Sequence, residues 1–348
     1  MEFRKLGRTD LSVSEICLGT MTFGQQTSEA EAFAQMDYAV AQGINFFDTA
    51  ELYSIPPRSE TYGATEKIIG AWLKSRGGRD GLVVASKVAG RSTMNWLREG
   101  GATARLDRKN IFYAVEGSLR RLGIDCIDLY QLHWPDRPMD LFDGLTNTYR
   151  DLGGPDGPTF EETLGALDEL VRQGKIRHYG LSNETAWGVA QFLRAVDAGA
   201  GPRPVSIQNA YNLVNRQFEI GLAEFALREQ VGLLAYSPLG QGYLTGKYLR
   251  GARPPGARST LFPRGQRYEK PGVDEAIEEY VNLAQEFEMH PVHLALAFVT
   301  SRPFVTSNII GATTLEQLKI IMSAPTTLSP ELATRIDAIH QLRGNPAP

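Results

Sequence analysis

Asp48, Tyr53, Lys87 and His133 each stand at, or just beyond, the end of a short apolar segment. The segments are Asn45-Phe-Phe-Asp48, with Tyr53 in the connection that follows, Leu82-Val-Val-Ala-Ser-Lys87, and Leu129-Tyr-Gln-Leu-His133. A phenol has an ordinary pKa of ~10 and is a poor acid at neutral pH. An adjacent ammonium favours the phenolate, so Tyr53 beside Lys87 is expected to titrate below its solution value. An aspartate paired with the lysine keeps that ammonium charged and oriented. A neutral histidine can donate a ring N–H to a carbonyl oxygen on which negative charge grows. This set suits carbonyl reduction, in which a hydride reaches carbon and Tyr53 protonates oxygen. No side chain supplies a hydride, so the chemistry calls for a nicotinamide cofactor. A strand-end lysine can also attack a carbonyl to form a Schiff base, but that reaction leaves Tyr53 and His133 without a shared task.

The elements that must position these groups are legible as an alternation. Eight apolar or β-branched segments are expected as strands, at 16–20, 45–50, 82–88, 128–133, 178–183, 205–210, 232–238 and 308–311. Helical periodicity is expected at 28–42, 65–74, 110–122, 160–173, 186–198, 216–230 and 273–287, with further helices opening at Thr313-Thr314 and after Ser329-Pro330. Thr27-Ser28-Glu-Ala-Glu31 reads as a capping box, Asn110 as a cap, and Gly43, Gly123, Gly174 and Gly232 as stops. Eight strand–helix units predict right-handed crossovers and a closed (β/α)8 TIM barrel spanning 1–348 as a single domain. The rival open sheet lacks its signature, since Gly19-Thr-Met-Thr-Phe-Gly24 has no middle glycine. A β-hairpin around Gly7-Arg8-Thr9-Asp10 is expected to plug the barrel floor. Long loops at 89–109, 135–159 and 240–272 all follow strands, and so belong at the C-terminal face, where barrels carry their chemistry.

The chain has 348 residues, 42% hydrophobic, with 36 Lys plus Arg against 40 Asp plus Glu and a net charge of −4. That balance provides no global field for nucleic acid or an anionic membrane. The first residues carry no apolar run of the leader type, and the longest apolar stretch, 294–299, is far short of the ~20 residues that span a bilayer. A cytoplasmic location is expected, with Cys17 and Cys126 as buried reduced thiols. His290 and His293 have helical metal-pair spacing, but Pro291 marks a helix start and no third ligand is near, so no metal site is expected.

Along essentially its whole length the chain resembles the aldo-keto reductase superfamily, nearest a bacterial Tas-type branch close to the channel-associated β subunits. The motifs that carry the resemblance are Leu18-Gly-Thr-Met21, Phe47-Asp-Thr-Ala-Glu-Leu-Tyr53, Ser86-Lys87, Asp128-Leu-Tyr-Gln-Leu-His-Trp134, Gly180-Leu-Ser-Asn183, Gln208-Asn-Ala-Tyr-Asn212, Ala235-Tyr-Ser-Pro-Leu239 and Ile310-Gly-Ala-Thr-Thr-Leu-Glu-Gln317. The resemblance implies that Asp48, Tyr53, Lys87 and His133 form a catalytic tetrad with Tyr53 as general acid. It implies that Ser182, Asn183 and Gln208 hold a nicotinamide carboxamide, that Tyr236 stacks on the ring, and that Thr20 and Met21 lie near the ribose. Ser237, Pro238, Leu239, Gly242 and Leu244 match the loop along the pyrophosphate. Lys247, Arg258, Thr313 and Gln317 match groups near the adenosine 2′-phosphate, which favours NADP(H) over NAD.

Composition points to the same phosphate end. Barrels commonly bind phosphate at the loops after strands seven and eight, using a helix N-terminus. Gly311-Ala-Thr-Thr314 sits there, with N–H groups and two hydroxyls on offer. The preceding loop holds Lys247, Arg250, Arg253, Arg258, Arg264, Arg267 and Lys270 against one acid, Glu269, in a chain of net −4. Related sequences often carry polar adenine-holding residues where this chain has Ile320-Ile321. Trp96, Trp134 and Glu51 are expected to face the substrate, a small carbonyl compound. A cofactor-binding, redox-sensing module with slow turnover is the alternative function.

Overall fold

The computed structural model of the chain describes residues 1–140, 150, 152–153, 157–263 and 266–348. A two-stranded antiparallel hairpin, β1 (Phe3–Lys5) and β2 (Ser12–Ser14), precedes eight parallel strands. These are β3 (Ile16–Gly19), β4 (Phe46–Asp48), β5 (Val83–Val88), β6 (Ile127–Leu132), β7 (Ile176–Ser182), β8 (Ser206–Ala210), β9 (Gly232–Tyr236) and β10 (Val305–Ile310). They pair in chain order and close through β10 on β3, a (β/α)8 barrel. Around it lie α1 (Glu29–Ala41), α2 (Ala64–Ser75), α3 (Arg108–Leu122), α4 (Phe160–Arg172), α5 (Ala186–Asp197), α6 (Leu222–Arg228), α7 (Arg258–Leu261), α8 (Val273–Glu286), α9 (Pro291–Thr300), α10 (Leu315–Met322) and α11 (Pro330–Arg343). No helix among the described residues is long and apolar enough to cross a membrane.

Strand side chains alternate between two cores, as a pleat of period two requires. Leu18, Phe47, Val84 and Tyr130 point outward into the layer shared with the helices. Cys17, Phe46, Val83, Ala85, Leu129, Leu234 and Ile309 point inward and form a separate cluster. Leu6, Leu11 and Val13 of the hairpin join that inner cluster, so the hairpin closes the floor. The hairpin is fixed by Arg4, which bonds both Glu15 and the carbonyls of Thr300 and Val305. Both cysteines are free, Cys17 buried in the barrel and Cys126 half-buried.

Several local expectations need correction. Asp107, not Asn110, caps α3, its Oδ1 accepting from Asn110 N at 2.8 Å. Ser28 caps α1, but the Glu31 carboxylate accepts from Leu315 N instead of closing a capping box. The helix expected at 216–230 is a 3-10 turn (Gln217–Glu219) and the short α6, separated at Gly221 with φ 92°. Gly232 is not a helix stop; a Cβ there would stand 1.9 Å from Thr306 Oγ1, so the absence of a side chain lets β9 pass β10. The expectations for 141–149, 151 and 154–156, and for Arg264, lie outside the described residues.

Candidate active site

Register and alternation together build a polar layer on top of the apolar barrel core. Asp48 follows inward-facing Phe46 by two residues, Lys87 follows Ala85, Gln131 follows Leu129, and Tyr236 follows Leu234. Lys87 pairs in register with Gln131, and Ser182 with Gln208. Sequence spacing therefore converts into lateral proximity. Lys87 is fully buried, and its Nζ donates to Asp48 Oδ2 at 2.6 Å, to Thr49 O at 2.8 Å and to Tyr53 Oη at 3.3 Å. Its three protons are thereby all engaged. Asp48 Oδ1 accepts from Gln131 Nε2 at 2.9 Å and from Gln208 Nε2 at 2.8 Å. The His133 ring lies edge-on to Tyr53, centroids 5.6 Å apart, and among the described residues its buried Nδ1 has no partner.

Burial sets the electrostatics. It pushes the Tyr53 phenol up, and the neighbouring Lys87 ammonium, which pulls down, offsets this only in part. The expectation of a lowered Tyr53 pKa is therefore reversed: proximity to Lys87 holds, but loss of water outweighs it. Burial and then Lys87 hold the His133 imidazole well below its usual range, so the ring is neutral. Burial pulls Lys87 down, but Asp48 and Tyr53 more than restore it, and the ammonium stays charged.

Asp48, Tyr53 and His133 open into a cavity of about 1460 Å³ that runs from the barrel mouth to α10. Met21, Leu52, Ile55, Pro56, Met94 and Trp134 wall its barrel end. Trp134 Nε1 donates to Arg91 O at 2.9 Å. A Cβ on Gly90 would stand 2.1 Å from Trp134 O and 2.5 Å from its ring, so glycine is required beside this wall. Two expected pocket residues do not line the cavity. Glu51 is fully buried beneath it, bound by Arg98, Tyr62 Oη and Ala89 N, because a carboxylate without water needs that many donors. Trp96 packs edge-on against Tyr62 behind the wall. The sequence reading also missed Asp136, which accepts from Arg91 Nε, Arg105 Nε and Leu106 N and so ties the loops after β5 and β6 together at the rim.

Thr20, Met21, Asn183, Gln208, Tyr236, Ser237, Pro238, Leu239, Gly242, Lys247, Arg258, Gly311, Thr313 and Gln317 all line the same cavity. Ser182 lies just behind it, its Oγ donating to Gln208 O at 2.9 Å, and Leu244 is buried in the helix layer. The Tyr236 hydroxyl donates to Asn183 Oδ1 at 2.6 Å and accepts from Arg267. After β9 the chain takes positive φ at Ser237, Gly240, Gln241 and Gly242, a series of tight turns along the wall. The basic run divides. Lys247, Arg258, Arg267 and Lys270 line the cavity, while Arg250 pairs with Glu278 and Arg253 with Glu269. The N-terminus of α10 is less open than expected. Gln317 Oε1 accepts from both Thr313 N and Thr313 Oγ1, Thr314 Oγ1 accepts from Gln317 N, and Glu31 accepts from Leu315 N. Anion attraction at this end therefore comes from side-chain cations more than from helix amides. His290, Val292, Ile320 and Ile321 complete the far wall, and His290 Nδ1 caps α9 by accepting from Val292 N at 3.1 Å.

A family model described as "Aldo/keto reductase family" matches residues 15–341. The chain is 50% identical over 351 residues to "Protein tas" of Escherichia coli (strain K12), covering 100% of both chains. It is 33% identical to "Uncharacterized oxidoreductase YrpG" of Bacillus subtilis (strain 168), over 100% of this chain and 98% of that one. It is 30% identical to "Probable voltage-gated potassium channel subunit beta" of Oryza sativa subsp. japonica, over 98% and 97% of the two chains.

Proposed function

The chain belongs to the aldo/keto reductase family, and from that premise we propose that it reduces an aldehyde or ketone to the alcohol with NADPH, Tyr53 acting as general acid beside Lys87, Asp48 and His133. The observation that carries this reading is the buried chain Asp48 Oδ2–Lys87 Nζ–Tyr53 Oη at the base of a cavity that continues to a wall of cations. Bound there, the nicotinamide cofactor supplies the hydride.

Every other part is the work of this chain's own residues. Tyr53 keeps its proton through neutral pH, because burial outweighs the lysine. Lys87 stabilises the phenolate left when that proton is given to the substrate oxygen. Asp48 keeps Lys87 charged. Neutral His133 offers a donor to the same oxygen. The donor set also suits the rest of a dinucleotide phosphate. Gln208, Asn183 and Tyr236 would hold the carboxamide and ring, the turns of 237–242 would hold the diphosphate, and Lys247 and Arg258, which line the cavity, would supply counter-charge to a 2′-phosphate.

Purified protein incubated with NADPH and a simple aromatic aldehyde tests the reading. Oxidation of NADPH matched by the alcohol is the expected result. Tight NADPH binding without turnover would instead favour a regulatory module, the reading to which the likeness to a named channel subunit points.

A further inference from the structure

Gln131 is fully buried on β6, two residues before His133, and takes no direct part in the proposed proton transfer. A primary amide removed from water needs partners at both ends. Its Nε2 donates to Asp48 Oδ1 at 2.9 Å, and its Oε1 accepts from Gln208 Nε2 at 2.9 Å. Gln208 Nε2 also donates to Asp48 Oδ1 at 2.8 Å. An ionised carboxylate only accepts, so both amides must turn their NH2 groups toward Asp48. Gln208 lines the cavity, and among the described residues no donor reaches its Oε1. The neighbouring polar groups are already engaged. Asn183 Nδ2 donates to His133 O and Ser182 Oγ, Asn183 Oδ1 accepts from Tyr236, and Ser182 Oγ donates to Gln208 O.

We propose that Gln131 is a positioning residue: with Asp48 it pins the Gln208 amide so that the cofactor's carboxamide meets an acceptor and not a donor. The inference rests on the nicotinamide reading of this cavity. One carboxylate then orients both the lysine beside the proton donor and the seat of the cofactor. Two anchors fix the plane of the Gln208 amide as well as its sense, which a single bond to Asp48 would not do.

Two full-length variants test this, with NADPH dissociation constants from fluorescence, kcat and KM for an aromatic aldehyde, and thermal melts measured in parallel. Gln131→Met fills the same volume and makes neither bond. Losing hydrogen bonds to a charged group should raise the NADPH dissociation constant about tenfold or more and lower kcat, with KM for the aldehyde little changed. Gln131→Glu can make the same two bonds only when its carboxyl is protonated. Buried beside Asp48, that carboxyl titrates above the ordinary carboxylate range. The variant should match wild type at about pH 5.5 and approach Gln131→Met by about pH 9, a limb that wild type lacks.

Variants that match wild type in dissociation constant and pH profile overturn the proposal while leaving the reductase reading intact. A lowered melting temperature with unchanged NADPH affinity assigns Gln131 to stability alone and also overturns it. A wild type that binds no NADPH overturns the functional reading, and this inference with it.

Discussion

At the barrel end of the cavity, Asp48, Lys87, Gln131 and Gln208 are buried and bonded to one another. At the far end, Lys247, Gln317 and Ile320 are exposed and lie on a loop and on α10. The first arrangement is held by strand register, which fixes each side chain to its neighbours before any ligand arrives. The second has a cation-rich wall but few fixed bonds aimed at a ligand. Preorganised groups in a dry site raise rates, whereas exposed charges contribute modest, screened affinity. Substitutions of the proton-transfer groups at the first end should therefore act on turnover, those at Gln131 should reach affinity through the Gln208 amide, and those at the second end should act on cofactor affinity and choice.

The largest effect is expected at Tyr53. Tyr53→Phe keeps the ring and removes only the hydroxyl, and Lys87 retains Asp48 and Thr49 as partners, so the fold is undisturbed. Turnover should fall by roughly two to four decades with NADPH affinity preserved. Steady-state rates beside a fluorescence titration check this. Near-normal reduction by the variant would remove Tyr53 from its role and make His133 the donor to test.

The pH profile reads the same end without mutation. In the proposed mechanism reduction needs Tyr53 protonated, so its rate should fall as pH rises through the Tyr53 pKa, and the reverse oxidation should gain there. Since burial raises that pKa and keeps His133 neutral, reduction should stay flat from about pH 6.5 to about pH 9 and fall only beyond. A decline already complete by about pH 8 would mean that Lys87 wins over burial after all.

Arg258→Ala addresses the far end. A charge-assisted hydrogen bond is typically worth ~1.5–3 kcal/mol, so NADPH affinity should drop by about one to two decades while NADH binding barely changes. Equal losses with both cofactors would show that Arg258 supports its loop, not the 2′-phosphate.

What the sequence reveals follows this division. Period-two alternation places Asp48, Lys87 and His133 in one mouth, because strand parity is written in the residues themselves. The same parity marks Gln131, yet a glutamine inside an apolar run suggests no chemistry until its partners are seen. Lys87 beside Tyr53 was legible, but the sign of the Tyr53 shift was not, since desolvation is a property of the packed site. Glu51 reads as a cavity residue from its place between Asp48 and Tyr53, and only the folded chain brings Arg98 and Tyr62 to it. The start of helix α9 is legible at Pro291 but its extent is not, because Leu294 to Thr300 are all buried and no polar face exists to show a helical period. At the far end the sequence shows charge but not direction: Arg250 and Arg253 belong to the same basic run as Arg258 and turn to Glu278 and Glu269 instead.

The smallest effect is expected at Ile320, and it separates two kinds of affinity within the far end. Ile320 is 44% exposed and lines the cavity beside Ile321. An adenine ring laid against it would bury the remaining apolar surface. At ~25 cal/mol per Å2, a few tens of Å2 amount to about 1 kcal/mol, or roughly a fivefold change in dissociation constant. Ile320→Ser should therefore weaken binding by about that factor. Adenine is common to both cofactors, so NADPH and NADH should weaken alike, in contrast to Arg258→Ala, and turnover at saturating NADPH should be unchanged. Titrations of both cofactors against both variants give the pattern directly. A loss confined to NADPH would place Ile320 beside the phosphate, and unchanged binding of both cofactors by the serine variant would place the adenine elsewhere along the wall.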